Sequence, residues 1–71
     1  MIRDRRIAAG LTQRALAEEA GVHINTVQKW ERLGVSRAEA AMLARAASAL
    51  GCTVEDLLRD ESAAGDGGGA R

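Results

Sequence analysis

Seventy-one residues, with ten basic and ten acidic side chains, one Trp and no Phe, Tyr or Pro, allow one small domain with a marginal core. One cysteine and one histidine exclude a disulfide framework or a cysteine-based metal site within one chain, so neither metal nor cofactor is expected. No stretch reaches the ~20 apolar residues of a membrane span and no signal-peptide core opens the chain, which points to a cytoplasmic protein.

The apolar residues are aliphatic and alanine-heavy, with little β-branched alternation, so the expected fold is all-α and packed closely over small residues. In chain order the pattern predicts five helices. The first runs from Ile2 to about Ala9 and stops at Gly10, a residue suited to the position after a helix. Thr12 caps the second, with Leu11 and Leu16 spaced as a hydrophobic staple, and that helix ends at Gly21. Val22 and Val27 repeat the staple for the third, whose cap position holds His23. Leu33-Gly34-Val35 breaks the pattern. Ser36 and Glu39 then have capping-box spacing and open an alanine-rich helix to about Leu50, with Ala40, Leu43, Ala44, Ala47 and Leu50 on one face. Gly51 ends it. Thr53 with Asp56 caps a last short helix carrying Val54, Leu57 and Leu58. Cys52, between these two helices, is either a buried inert thiol or a reactive one. Residues 1–60 thus form the domain, and residues 61–71 are expected as a disordered glycine-rich tail.

Within this order the span 13–32 is the most telling. Ala17 is small enough for two helices to cross steeply, Gly21 suits a left-handed turn, and Val27 and Trp30 dock the second helix at i and i+3. That docking leaves a polar stripe of Asn25, Gln28, Lys29 and Arg32 facing away from the core. Charge is polarised in the same sense. Residues 1–37 carry seven basic and four acidic side chains, whereas residues 38–71 carry three and six. Such asymmetry suits a protein that turns one face to phosphates.

With Thr12-Gln13, Leu16-Ala17, Ala20-Gly21-Val22, Thr26-Val27 and Trp30-Glu31 in register, the chain resembles the Xre/Cro/C1 family of helix-turn-helix regulators. Leu50-Gly51 and Val54-Glu55-Asp56-Leu57-Leu58 extend the likeness over roughly residues 2–58. The resemblance implies a five-helix, lambda-repressor-like fold whose third helix enters the major groove of double-stranded DNA. It places Ile24, Asn25, Gln28 and Lys29 at base edges. The chemistry fits, since Asn pairs with adenine, Lys donates to guanine and Ile packs on a thymine methyl. Phosphate contacts fall to Thr12, Gln13, Thr26, Arg32 and Arg37. His23 reads either as a surface residue at a helix start or as a further phosphate contact. Arg6 and Glu31 match a structural ion pair of related repressors. Trp30 shares a face with Val27 and reads as core.

The loop Leu33-Gly34-Val35-Ser36-Arg37 departs from the family in being one residue longer and poorer in charge. It sets apolar residues where related proteins form a dimer contact, either filling the core or meeting a partner. Val35, Val54, Leu57 and Leu58 are the interface candidates for a homodimeric repressor on an inverted-repeat operator. An antitoxin-like module that binds a protein partner is the alternative within the same fold. An enzyme is not expected, for want of a nucleophile–base arrangement, metal cluster or phosphate loop.

Overall fold

Local hydrogen bonds fix where the helices begin and end. Thr12 Oγ1 accepts from the Ala15 amide at 3.0 Å. Thr53 and Asp56 form a reciprocal capping box: the Asp56 amide donates to the Thr53 hydroxyl at 3.0 Å and the Thr53 amide to the Asp56 carboxylate at 3.1 Å. At Gly21 the backbone turns left-handed, with φ +70°. The amides of Gly21 and Val22 there reach back to the carbonyls of Glu18 and Ala17, the paired bonds of a Schellman end. The same pairing closes the helices before Gly10 and Gly51.

The computed structural model describes residues 1–69, with side chains through Glu61. These signals delimit α1 (Ile2–Ala8), α2 (Gln13–Ala20), α3 (Ile24–Leu33), one 3-10 turn (Arg37–Glu39), α4 (Ala40–Leu50) and α5 (Val54–Gly69). Every regular element among the described residues is helical, and no helix there is long and apolar enough to cross a membrane.

α2 lies at the centre against both α3 and α4, while α5 packs on α4 and α1 on α3. The core is Ile2, Leu16, Ala17, Ala20, Val27, Trp30, Leu43, Ala46, Ala47 and Leu57. Ala17 and Ala20 on α2, with Ala46 and Ala47 on α4, let the backbones approach closely. Trp30, fully buried, supplies the volume that the alanines lack. An ion pair from Arg5 Nε to Asp60 Oδ2 at 2.6 Å ties α1 to α5.

Four details differ from the sequence reading. The buried face of α4 runs through Leu43, Ala46 and Ala47, and Ala44 is exposed; among alanines composition offers no contrast to set the face. Ser36 and Glu39 do not form a capping box. The Ser36 hydroxyl donates to Glu39 Oε1 at 3.3 Å rather than accepting from a helix amide, Glu39 Oε2 reaches α3, and the segment opens through the 3-10 turn. Leu57, expected at a dimer interface, is 1% exposed in the single chain and belongs to the core. The backbone of α5 stays helical through Gly69 rather than giving way to a disordered tail at residue 61. No Gly or Pro falls between Asp60 and Ala64 to stop it, and each residue added to a formed helix gains a backbone bond; helix propensity gives no reason for its continuation through Gly65 and Gly67 to Gly69. Residues 70–71 of the expected tail lie outside the described residues.

Candidate nucleic-acid interface

α3 follows α2 after only three residues, Gly21-Val22-His23. His23 takes the capping role, its Nδ1 accepting from the Asn25 amide at 3.0 Å. That bond requires an unprotonated nitrogen. Val27 and Trp30, each 0% exposed, pin the inner face of α3 to the core. On the outer face Asn25, Gln28, Lys29 and Arg32 are exposed together. Ile24 is half-buried and packs partly against the core, so the protein itself covers some of this β-branched side chain. Thr26 is also half-buried, and its amide donates to the His23 carbonyl at 2.9 Å.

Beside α3, the starts of α1 and α2 frame a shallow open depression lined by Arg3, Arg6, Gln13, Gln28, Glu31 and Arg32. Its floor is a hydrogen-bonded network. Arg6 Nε and a second guanidinium nitrogen both donate to the Glu31 carboxylate, while the third donates to the Leu11 carbonyl at 2.8 Å. Gln13 Nε2 donates to Glu31 Oε1 at 3.0 Å. Burial pushes the Glu31 carboxyl up, but the bonds from Arg6 and Gln13 outweigh it and hold the group below the usual carboxylate range. Glu31 thus fixes both Arg6 and Gln13 at the rim. Three arginines around one carboxylate leave the depression positive, and the α2 N-terminus opens beside it. This is chemistry for a phosphate.

The remaining cationic candidates are engaged in the protein itself. Lys29 Nζ donates to Glu39 Oε2 at 2.9 Å. Arg37 reaches Glu55 at 3.3 Å, both side chains largely exposed, so water competes readily for that contact. Thr12 is exposed at the α2 start, with its hydroxyl already accepting the capping bond.

Two residues, Arg3 and Arg45, escape the sequence reading, and a third, Glu39, takes tertiary partners in place of the cap its spacing predicts. Arg3 lines the depression with Arg6, and their i,i+3 spacing on α1 could have revealed it. Arg45 of α4 lays its guanidinium over Gly21, where an added Cβ would fall 2.6 Å from the nearest nitrogen. Glu39 joins α3 to the turn that follows. No local signal announces these last two, because each meets its partner across separate elements. Of the proposed interface residues, Val35, Val54 and Leu58 are half-buried against the core, and Leu33 is 69% exposed. Cys52 is half-buried. Burial raises its thiol despite the nearby Arg5, which keeps it a weak nucleophile at neutral pH.

No curated protein and no solved structure matches the chain significantly. The family model described as helix-turn-helix does match, over residues 2–57, a span running from α1 into α5. With the helix order, the short turn at Gly21 and the exposed polar face of α3 already in hand, the match settles the family: this chain belongs to the Xre/Cro/C1 type of DNA-binding helix-turn-helix regulators.

Proposed function

We infer that the chain is a sequence-specific reader of double-stranded DNA that represses transcription as a homodimer on an inverted-repeat operator. The observation that carries this reading is the division of α3. Val27 and Trp30 are withdrawn completely into the core, and Asn25, Gln28, Lys29 and Arg32 stand exposed beside an arginine-lined depression. In a major groove this arrangement would set Asn25, Gln28 and Lys29 at base edges, with Ile24 at a thymine methyl. Arg3, Arg6, Gln13 and Arg32 would hold the flanking phosphate.

A helix of ten residues is about 15 Å long and reads only a few base pairs, so useful selectivity calls for two copies. Their half-sites would lie about one helical turn apart, ~34 Å. Exposed Leu33 and half-buried Val35, Val54 and Leu58 are the residues we assign to that pairing. Occupation of the operator would itself exclude polymerase. The partner-binding alternative calls for a segment that folds on another protein. Residues 62–71 are mostly small, Gly or charged and offer no large apolar anchor, which favours the DNA reading.

Selection from a random duplex library, with the mass of the selected complex measured in solution, tests the proposal. Enrichment of an inverted repeat bound by two chains is the expected result. Failure to enrich any sequence, with weak binding abolished by modest salt, would overturn it.

A further inference from the structure

Glu39 ends the 3-10 turn and directly precedes α4. Its Oε2 accepts from two donors on α3, Lys29 Nζ at 2.9 Å and Trp30 Nε1 at 3.1 Å, and its Oε1 accepts from the Ser36 hydroxyl at 3.3 Å. The donors differ in kind. Trp30 is fully buried and its indole N–H cannot move without disturbing the core. Lys29 keeps 46% of its side chain exposed, on a flexible stem. The carboxylate is therefore anchored by the tryptophan, and the lysine is the partner free to leave. The bond from Lys29 is also the foremost cause holding the Glu39 carboxyl below its usual range, ahead of the opposing effect of burial.

Lys29 lies four residues beyond Asn25 on the exposed row. In this structure its ammonium is directed to the protein's own carboxylate, so reaching a base would require breaking that bond. Resting on the reading of α3 as the DNA-facing helix, we propose that Glu39 is a specificity-setting residue: it restrains Lys29, so that Lys29 engages DNA only where the base offers acceptors good enough to replace the carboxylate. A base edge that offers Lys29 one acceptor or none does not replace the carboxylate, and a guanine edge, with two acceptors, does. Glu39 thereby weakens binding to arbitrary sequences more than binding to the operator.

The variant Glu39→Gln keeps an acceptor for the Trp30 indole and removes the charge that holds Lys29. Affinities are measured by titration of fluorescent duplexes, both the selected operator and a scrambled one, in the wild-type and Lys29→Gln backgrounds at several salt concentrations. E39Q is expected to tighten binding to the scrambled duplex by about two- to fivefold, the scale of one exposed ion pair. Its log K against log salt should steepen by about 0.9, one further phosphate contact. In the K29Q background both effects should vanish. Equal effects in the two backgrounds would show a through-space charge effect only and overturn the proposal, as would no change on the scrambled duplex. If E39Q fails to give the wild-type tryptophan fluorescence and melting curve, Glu39→Asn, a shorter neutral acceptor, replaces it with the same expectations. Wild-type protein that binds no duplex at all would sink the DNA reading together with this inference. Wild-type binding with an inert E39Q would sink this inference alone.

Discussion

Replacing Glu31 by glutamine perturbs the junction of α1, α2 and α3 at one atom. The Arg6 and Glu31 side chains are 13% and 7% exposed, so their pair stands between two known regimes. Exposed ion pairs contribute about 0–1 kcal/mol, and removing one partner of a fully buried pair costs about 3–5 kcal/mol. Glu31→Gln keeps one oxygen but turns an NH2 group toward Arg6 or Gln13, both donors. The Arg6 bond to the Leu11 carbonyl survives. A cost of about 2 kcal/mol follows, equivalent to a fall in Tm of roughly 8–16 °C for a domain of this size. Trp30, the sole and fully buried tryptophan, reports unfolding by fluorescence in a urea titration. Several protein concentrations are needed to separate folding from association. The exposed partner of Arg37 is the control, and Glu55→Gln should shift stability by under about 0.5 kcal/mol. An E31Q variant within that same margin of wild type, at unchanged m-value, would refute the claim that this network holds the three helices together.

Gly21→Ala should cost about 1–2 kcal/mol, because φ of +70° strains an L-residue and the new methyl must push Arg45 aside; a variant as stable as wild type in thermal melts would contradict this. His23→Ala should lose about 1 kcal/mol with the α3 cap, and amide exchange at Asn25 should quicken; protection equal to wild type would argue against capping by the imidazole. Acid should weaken the fold. The carboxyls of Glu31, Glu39, Asp56 and Asp60 are all held below their ordinary values. Each therefore contributes stability that is present above its unfolded pKa, near ~4, and lost as pH falls through the lower folded value. Urea midpoints should fall steadily below about pH 5, and midpoints that rise on acidification would contradict the assignment.

Local chemistry made most of the fold legible. Thr12, the Thr53–Asp56 box, Gly21 and Gly51 act within four residues of themselves, and each appears where its spacing in the sequence predicts. Val27 and Trp30 could be assigned to the core because a tryptophan and a valine at i and i+3 contrast sharply with the polar row opposite. Contrast fails in α4, where Ala44 and Ala46 are chemically identical and only the packing of α4 against α2 and α5 decides which is buried. Ser36 and Glu39 have the spacing of a capping box, but tertiary partners override it: a buried indole N–H and a lysine on α3 offer the carboxylate more than an exposed helix start. Arg5 and Asp60, 55 residues apart, leave no trace in a local pattern. The candidate surface divides in the same way. Asn25, Gln28 and Arg32 follow from helical period alone, whereas the restraint on Lys29 and the withdrawal of Leu57 depend on how separate helices meet.

Whether α3 reads sequence is decided by the affinity of Asn25→Ala for the selected operator and for a scrambled duplex at one salt concentration. Asn25 is exposed and makes its capping bond through the backbone amide alone, so the substitution leaves the fold intact. The operator-to-scrambled ratio should fall by about 5- to 150-fold, the value of one bidentate base contact of about 1–3 kcal/mol, while affinity for the scrambled duplex hardly changes. An unchanged ratio, or an equal loss on both duplexes, would leave α3 as a helix that touches only the backbone of DNA.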